Sequence, residues 1–117
     1  MESISIILRR PPYGTIDAPE AIRHALGGIT EDMSVKLILM DGGVNTARKA
    51  QDASTTAYLN MESGIRDCID MGVEVFADKG SLAGEHLDPE SIIDGVVIAT
   101  GAEIAAIISG TDTTMIF

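Results

Sequence analysis

Few side chains in this 117-residue chain could do covalent or acid–base chemistry, and they stand far apart. Cys68 is the one cysteine; His24 and His86 are the two histidines. A reactive thiolate needs exposure and a positive neighbourhood. Asp67 and Asp70 flank Cys68 instead, and Arg66, though adjacent, projects elsewhere on a helix. Cys68 shares a helical stripe with Met61, Ile65 and Ile69, so it is expected against the core as a small hydrophobe. A nucleophilic or sulfur-carrying Cys68 is the competing reading. His24 falls on the first helix, where a solvated or cap-adjacent role is simpler than catalysis without a partner. His86 closes a short helical stretch and could face a pocket, although a structural role is again simpler.

The other chemistry-bearing residues lie in three loops that follow strand-like runs: Arg9 to Thr15, Asp41 to Asn45, and Asp78 to Ser81. Each combines glycine with polar or charged residues, as a pocket lined by backbone requires. Pro12, Tyr13, Gly14, Asp41, Gly42, Asp78 and Lys79 are the candidate ligand-binding residues. The plain alternative is that they form ordinary strand-to-helix turns, which favour glycine in any case. No cofactor or metal is expected. No GxGxxG follows the first strand and no GxxxxGK[ST] occurs, so nucleotide sites lack their usual sequence support. Asp41 after a strand could suggest a phospho-acceptor, but Arg9-Arg10 stand where such a site needs acidic magnesium ligands.

The elements that must position these loops alternate along the chain. Ser3 to Leu8 is a β-branched apolar run that reads as a buried strand, stopped by Arg9-Arg10-Pro11-Pro12-Tyr13-Gly14. Asp17-Ala18-Pro19-Glu20 reads as a helix start with Asp17 as the cap. Ala21, Ile22, Ala25 and Leu26 form that helix's stripe, and Gly27-Gly28 its stop. Val35 to Met40 is the second strand, closed by Asp41-Gly42-Gly43. The polar stretch from Val44 to Thr55 reads as loop or a partly ordered helix. Tyr58, Met61, Ile65, Cys68 and Ile69 keep helical spacing to Gly72. Val73 to Ala77 is the third strand, followed by a short helical stretch from Ser81 to His86 and a cap-like Asp88-Pro89-Glu90. Gly95 to Ala99 is the fourth strand, and Thr100 with Glu103 matches a capping box. Ile104, Ile107 and Ile108 stripe the last helix, and Asp112 to Phe117 make a fifth strand. Such alternation predicts an α/β domain, residues 1–117 as one unit, with about five mainly parallel strands and helices on both faces. Ligands in such sheets bind beyond the carboxyl ends of the strands.

Composition narrows the function classes. Eight basic residues against 18 acidic give a net charge of −10 and a pI near 4.3. Phosphate backbones need a basic face, so no nucleic acid is expected as partner. Aromatics make up only 3% of residues, which leaves few platforms for stacking bases. No apolar run nears the ~20 residues of a membrane span, so no membrane partner is expected. One cysteine excludes an internal disulfide, and Met1-Glu2-Ser3 lacks a basic signal-peptide start; a cytoplasmic setting is the expectation. A mean hydropathy of +0.22 in so small a chain is consistent with apolar surface buried in a homo-oligomer or a partner complex.

The order of features resembles the DsrE/DsrF/TusC-like family of small α/β proteins. The matching elements are Ile4 to Leu8 followed by Pro11-Pro12-Tyr13-Gly14, then an acid-capped helix. Leu39-Met40-Asp41-Gly42-Gly43 and the closing Met115-Ile116-Phe117 match in turn. The resemblance implies a flavodoxin-like sheet and assembly into trimers, hexamers or hetero-oligomers with related subunits. It also implies a place in sulfur relay, where persulfide passes between cysteines. Sulfur-carrying members hold their cysteine in the loop after the strand matching Val73 to Ala77. Here that loop reads Asp78-Lys79-Gly80-Ser81, and a carboxylate cannot hold sulfane sulfur. The implied role is a subunit without the carrier cysteine, serving assembly or binding. The alternatives are a small-ligand binder or enzyme using the loops after the first three strands, and a sulfur carrier through Cys68.

Overall fold

The computed structural model describes residues 2–51 and 60–117. Tyr58, and the end of the polar stretch from 52 to 55, lie outside the described residues. Five strands form one sheet: β1 (Ser3–Leu8), β2 (Ser34–Leu39), β3 (Glu74–Asp78), β4 (Val97–Ala99) and β5 (Thr113–Ile116). Their order is β4-β3-β2-β1-β5, and every pairing is parallel. This is the parallel α/β sheet that the alternation predicts and the flavodoxin-like architecture that the family resemblance implies, with β1 and β2 inside the sheet, where their continuous apolar runs are covered from both sides.

Side-chain alternation splits the sheet into two unequal faces. Ile4, Ile6 and Leu8 of β1 join Val35, Leu37, Leu39, Val75 and Ala77 in the larger core. Helices α1 (Asp17–Thr30) and α2 (Met61–Met71) close that side with Ala18, Ala21, Ile22, Ala25, Ile65 and Cys68. The short α3 (Lys79–Gly84) adds Leu82 to the same core. The opposite face is covered by α4 (Gly101–Ser109), whose Ile104 packs on Ile7, Ile38 and Ala99. Connections up to β4 run in one direction across the sheet, whereas the step to β5 runs back past β1. That reversal carries α4 to the other face, as uniform crossover handedness requires.

Three features differ from the sequence expectation, two of them where a glycine lets backbone pack closely. Helix α1 does not stop at Gly27-Gly28 but continues to Thr30. A Cβ at Gly28 would lie 2.8 Å from the Val35 Cγ2, so this glycine serves close packing of helix on strand. The N-cap of α1 is Ile16 without a side-chain cap, and Asp17 is the first helical residue. The polar stretch after β2 opens as a 3-10 helix from Asp41 to Ala47. Its Gly43 presses on the preceding strand, where a Cβ would come to 2.1 Å from the Leu8 carbonyl oxygen.

Candidate functional site

The carboxyl ends of β1, β2 and β3 are joined by a string of hydrogen bonds. Arg9, directly after β1, donates through Nε to Asp41 Oδ2 at 2.8 Å. The Asp41 N–H donates to Ser81 Oγ at 2.8 Å. Ser81 Oγ in turn donates to Asp78 Oδ2 at 2.6 Å. The same Asp78 oxygen accepts the Ser81 N–H at 2.9 Å, which caps α3. Asp41 reaches this geometry with a left-handed φ of 51°, a conformation aspartate tolerates better than most residues.

Asp41 separates two hollows along this rim. One, of about 430 Å³, has Asp41, Gly42, Asp78, Ser81 and Glu85 in its lining. The other, of about 310 Å³, is lined by Arg9, Arg10, Asp41, Ile116 and Phe117. A larger hollow of about 540 Å³ lies between α1 and α2. Its lining is aliphatic at Pro19, Ile22, Leu26 and Met61, with Glu20, Arg23, Asn60, Ser63 and Asp67 also around it.

Of the seven candidate residues, Asp41, Gly42 and Asp78 therefore share one hollow. Lys79 is exposed at the start of α3 and does not line it. Its charge reaches Glu103 instead, whose carboxyl is held below the usual range mainly by hydrogen bonding with Thr100, with Lys79 as the smallest contribution. Pro12 is buried, and Gly14 turns the loop with a φ of 101°. Tyr13 lines neither rim hollow: its hydroxyl donates to Gln51 Oε1 at 2.8 Å and accepts from the Met61 N–H at 3.3 Å. The two arginines of the smaller hollow were not among the candidates from sequence. The available signal was a pair of adjacent guanidinium groups leaving a strand in a strongly acidic chain.

The histidines and the cysteine do not reach the rim hollows. His24 Nδ1 lies 2.8 Å from the Glu20 carbonyl oxygen, and its ring meets Phe117 at a centroid distance of 5.3 Å. His86 is exposed and closes α3 with a left-handed φ of 57°. Cys68 is fully buried among the core residues. Burial pushes its thiol up to about 12, with Asp67 adding to the shift. Among the described residues no group of three or more His, Cys, Asp and Glu could hold a metal ion. No helix among them is long and apolar enough to cross a membrane.

The model of the DsrE/DsrF-like family matches residues 2–117. The chain belongs to the DsrE/DsrF-like family. An uncharacterised protein from Methanopyrus kandleri is 29% identical across all of this chain and 95% of its own length. The intracellular sulfur oxidation protein DsrF of Allochromatium vinosum is 30% identical over 87 residues, 74% of this chain and 64% of that protein. In fold, the chain is similar to the ychN protein of E. coli, with a TM-score of 0.89 at 23% identity and full coverage of both chains. A protein from Methanobacterium thermoautotrophicum matches with a TM-score of 0.72 at 13% identity over 97% of both.

Proposed function

We propose that this DsrE/DsrF-like chain acts in sulfur relay as an assembling or binding subunit and does not itself carry persulfide. The observation that carries this reading is the position of its one thiol. A carrier must attack sulfane sulfur as an exposed thiolate. Cys68 is 0% exposed, and its ionisation is shifted to about 12. At the end of β3, where the family resemblance implies a carrier cysteine, stands Asp78. Its carboxylate is engaged in capping α3. The setting we infer is cytoplasmic, in keeping with a lone thiol.

The assembling role has its own support on the α4 side of the sheet. The strand registers place Val97, Phe76, Ile38, Ile7 and Ile116 in one apolar row across all five strands. Helix α4 covers the middle, and both ends stay open: Val97 is 53% and Ile116 67% exposed. Ala102, Ala105 and Ala106 of α4 are exposed beside it. Strand β5 carries no charge, and Glu103 is the one charged residue of α4. Two copies of a chain with a net charge of −10 meet with least repulsion through such a neutral face. The occupant we infer is a second copy, in a trimer or hexamer, with related subunits using the same face in hetero-oligomers.

Native thiol titration tests the first half of the reading. At pH 8, Cys68 should react with a disulfide reagent roughly a thousandfold more slowly than in denaturant, as three pKa units of lost thiolate require. Fast native labelling would overturn the non-carrier role and restore Cys68 as carrier. Sedimentation velocity tests the second half. The chain should run well above its 12.3 kDa monomer mass, and Val97→Lys with Ile116→Lys should return it to monomer. A wild-type monomer at micromolar concentration would remove the self-assembly. A second reading, a small-ligand site at the rim, draws on the shared hollow of Asp41, Gly42 and Asp78.

A further inference from the structure

We propose that the hollow bounded by Arg9, Arg10, Asp41, Ile116 and Phe117 binds a small organic monoanion, a carboxylate or sulfonate carrying a short apolar part. The inference does not rest on the assembly reading or on Cys68. Its first support is position. The hollow lies beyond the carboxyl end of β1, inside the sheet, where open parallel sheets take their ligands. The backbone there is held as a continuation of the ladder to β5. Phe117 N–H donates to the Ile7 carbonyl at 2.8 Å, and Arg9 N–H to the Phe117 carbonyl at 2.9 Å.

The second support is how the arginines are used. Arg23 and Arg66 each place a terminal Nη2 on a carboxylate of their own helix, Glu20 at 2.6 Å and Glu62 at 2.9 Å. Arg9 instead meets Asp41 through Nε, which fixes its guanidinium plane. Arg10 approaches Asp17 through Nε at the longer distance of 3.8 Å. Among the described residues no hydrogen bond engages the Nη groups of either Arg9 or Arg10. Two forks of N–H donors with matched carboxylate geometry therefore face a common hollow.

Charge and polarity then select the ligand. The Asp41 and Asp17 carboxylates offset the two guanidinium groups, so an anion is held through the donor forks and not through surplus charge. The rest of this acidic chain repels multiply charged anions. The half-buried Phe117 supplies an apolar wall next to the donors, and Ile116 beside it also belongs to the face assigned to a second copy. A few convergent polar groups beside an apolar surface is the usual make-up of a small-molecule site.

The test is an amide-resolved NMR titration of the intact chain with sodium hexanoate and, separately, sodium hexanesulfonate at fixed ionic strength. Hexanol serves as the neutral control. Saturable shifts should centre on Arg9, Arg10, Asp41 and Phe117, with a Kd of about 1 mM or tighter. Arg10→Gln should weaken binding roughly tenfold by removing charge-assisted donors. Arg10→Lys, which keeps the charge and loses the fork, should fall between. Three results would each overturn the proposal: no saturation with either anion, equal shifts with hexanol, or shifts centred on α4. Unchanged affinity in Arg10→Gln would overturn it as well.

Discussion

The rim of the sheet and the core beneath α1 and α2 are built by different rules. In the core, Ile6, Leu8, Leu37 and Leu39 are fully buried, and aliphatic shape decides what fits. At the rim, exposed or half-buried polar groups are held in place by one another, from Arg9 through Asp41 and Ser81 to Asp78. The chain's most reactive side chain by type, Cys68, has gone to the core, where burial suppresses its ionisation. The carboxylate and guanidinium groups have gone to the rim. The difference teaches that recognition can occur at the rim without covalent chemistry, because charge and hydrogen-bond donors are accessible there and a nucleophile is not.

The two regions meet at Gly43, so the sharpest way to break the comparison is to change that residue. Its missing Cβ lets the 3-10 turn approach the Leu8 carbonyl, with 2.1 Å from a built Cβ to that oxygen. The atom in the way belongs to backbone of β1, and no rotamer change can clear it. Gly43→Ala should therefore lower the unfolding free energy by more than about 3 kcal/mol, beyond the usual range for overpacking. Urea denaturation would check this. A change below about 1 kcal/mol would mean that rim and core do not share this contact and can move independently.

The core was largely legible from sequence, and the rim only in part. Runs such as Ser3 to Leu8 and Val35 to Met40 carry their own β signal, and glycine and proline mark their ends, so local pattern suffices for the sheet. Cys68 was placed against the core by its stripe with Ile65, and it is there. Gly27-Gly28 reads locally as a helix stop, yet α1 runs on to Thr30, because glycine has two uses. Here Gly28 admits Val35 rather than ending α1. At the rim, sequence places Tyr13, Asp41 and Asp78 in loops at the same end of the sheet but does not say how each loop folds back. Tyr13 folds toward the start of α2, where Gln51 and the Met61 N–H claim its hydroxyl. The Arg9 and Arg10 hollow depends on β5 lying beside β1, a pairing across more than a hundred residues that no local spacing encodes.

A smaller effect sharpens the comparison from the core side, through the pH dependence of stability. In the folded chain the Cys68 thiol ionises near 12, against 9.0 when unperturbed, chiefly because burial disfavours the thiolate. Below pH 9 both states keep the proton, and the thiol's contribution to stability is fully present. Between pH 9 and 12 the unfolded chain releases the proton while the folded chain keeps it. Stability should therefore fall by about 1.4 kcal/mol per pH unit from this residue as pH rises through that window. Tyrosine and lysine side chains titrate in the same range, so the quantity to measure is the difference between the wild type and Cys68→Ala. The variant should be less stable at pH 7, because it leaves a small cavity in the core. Its deficit should shrink as pH rises above 9, since it lacks the group whose ionisation favours unfolding. A deficit that stays constant to pH 11 would mean that Cys68 ionises as easily in the folded chain as in the unfolded one. The thiol would then belong with the accessible groups of the rim, and the separation between the two regions would fail at its most reactive residue.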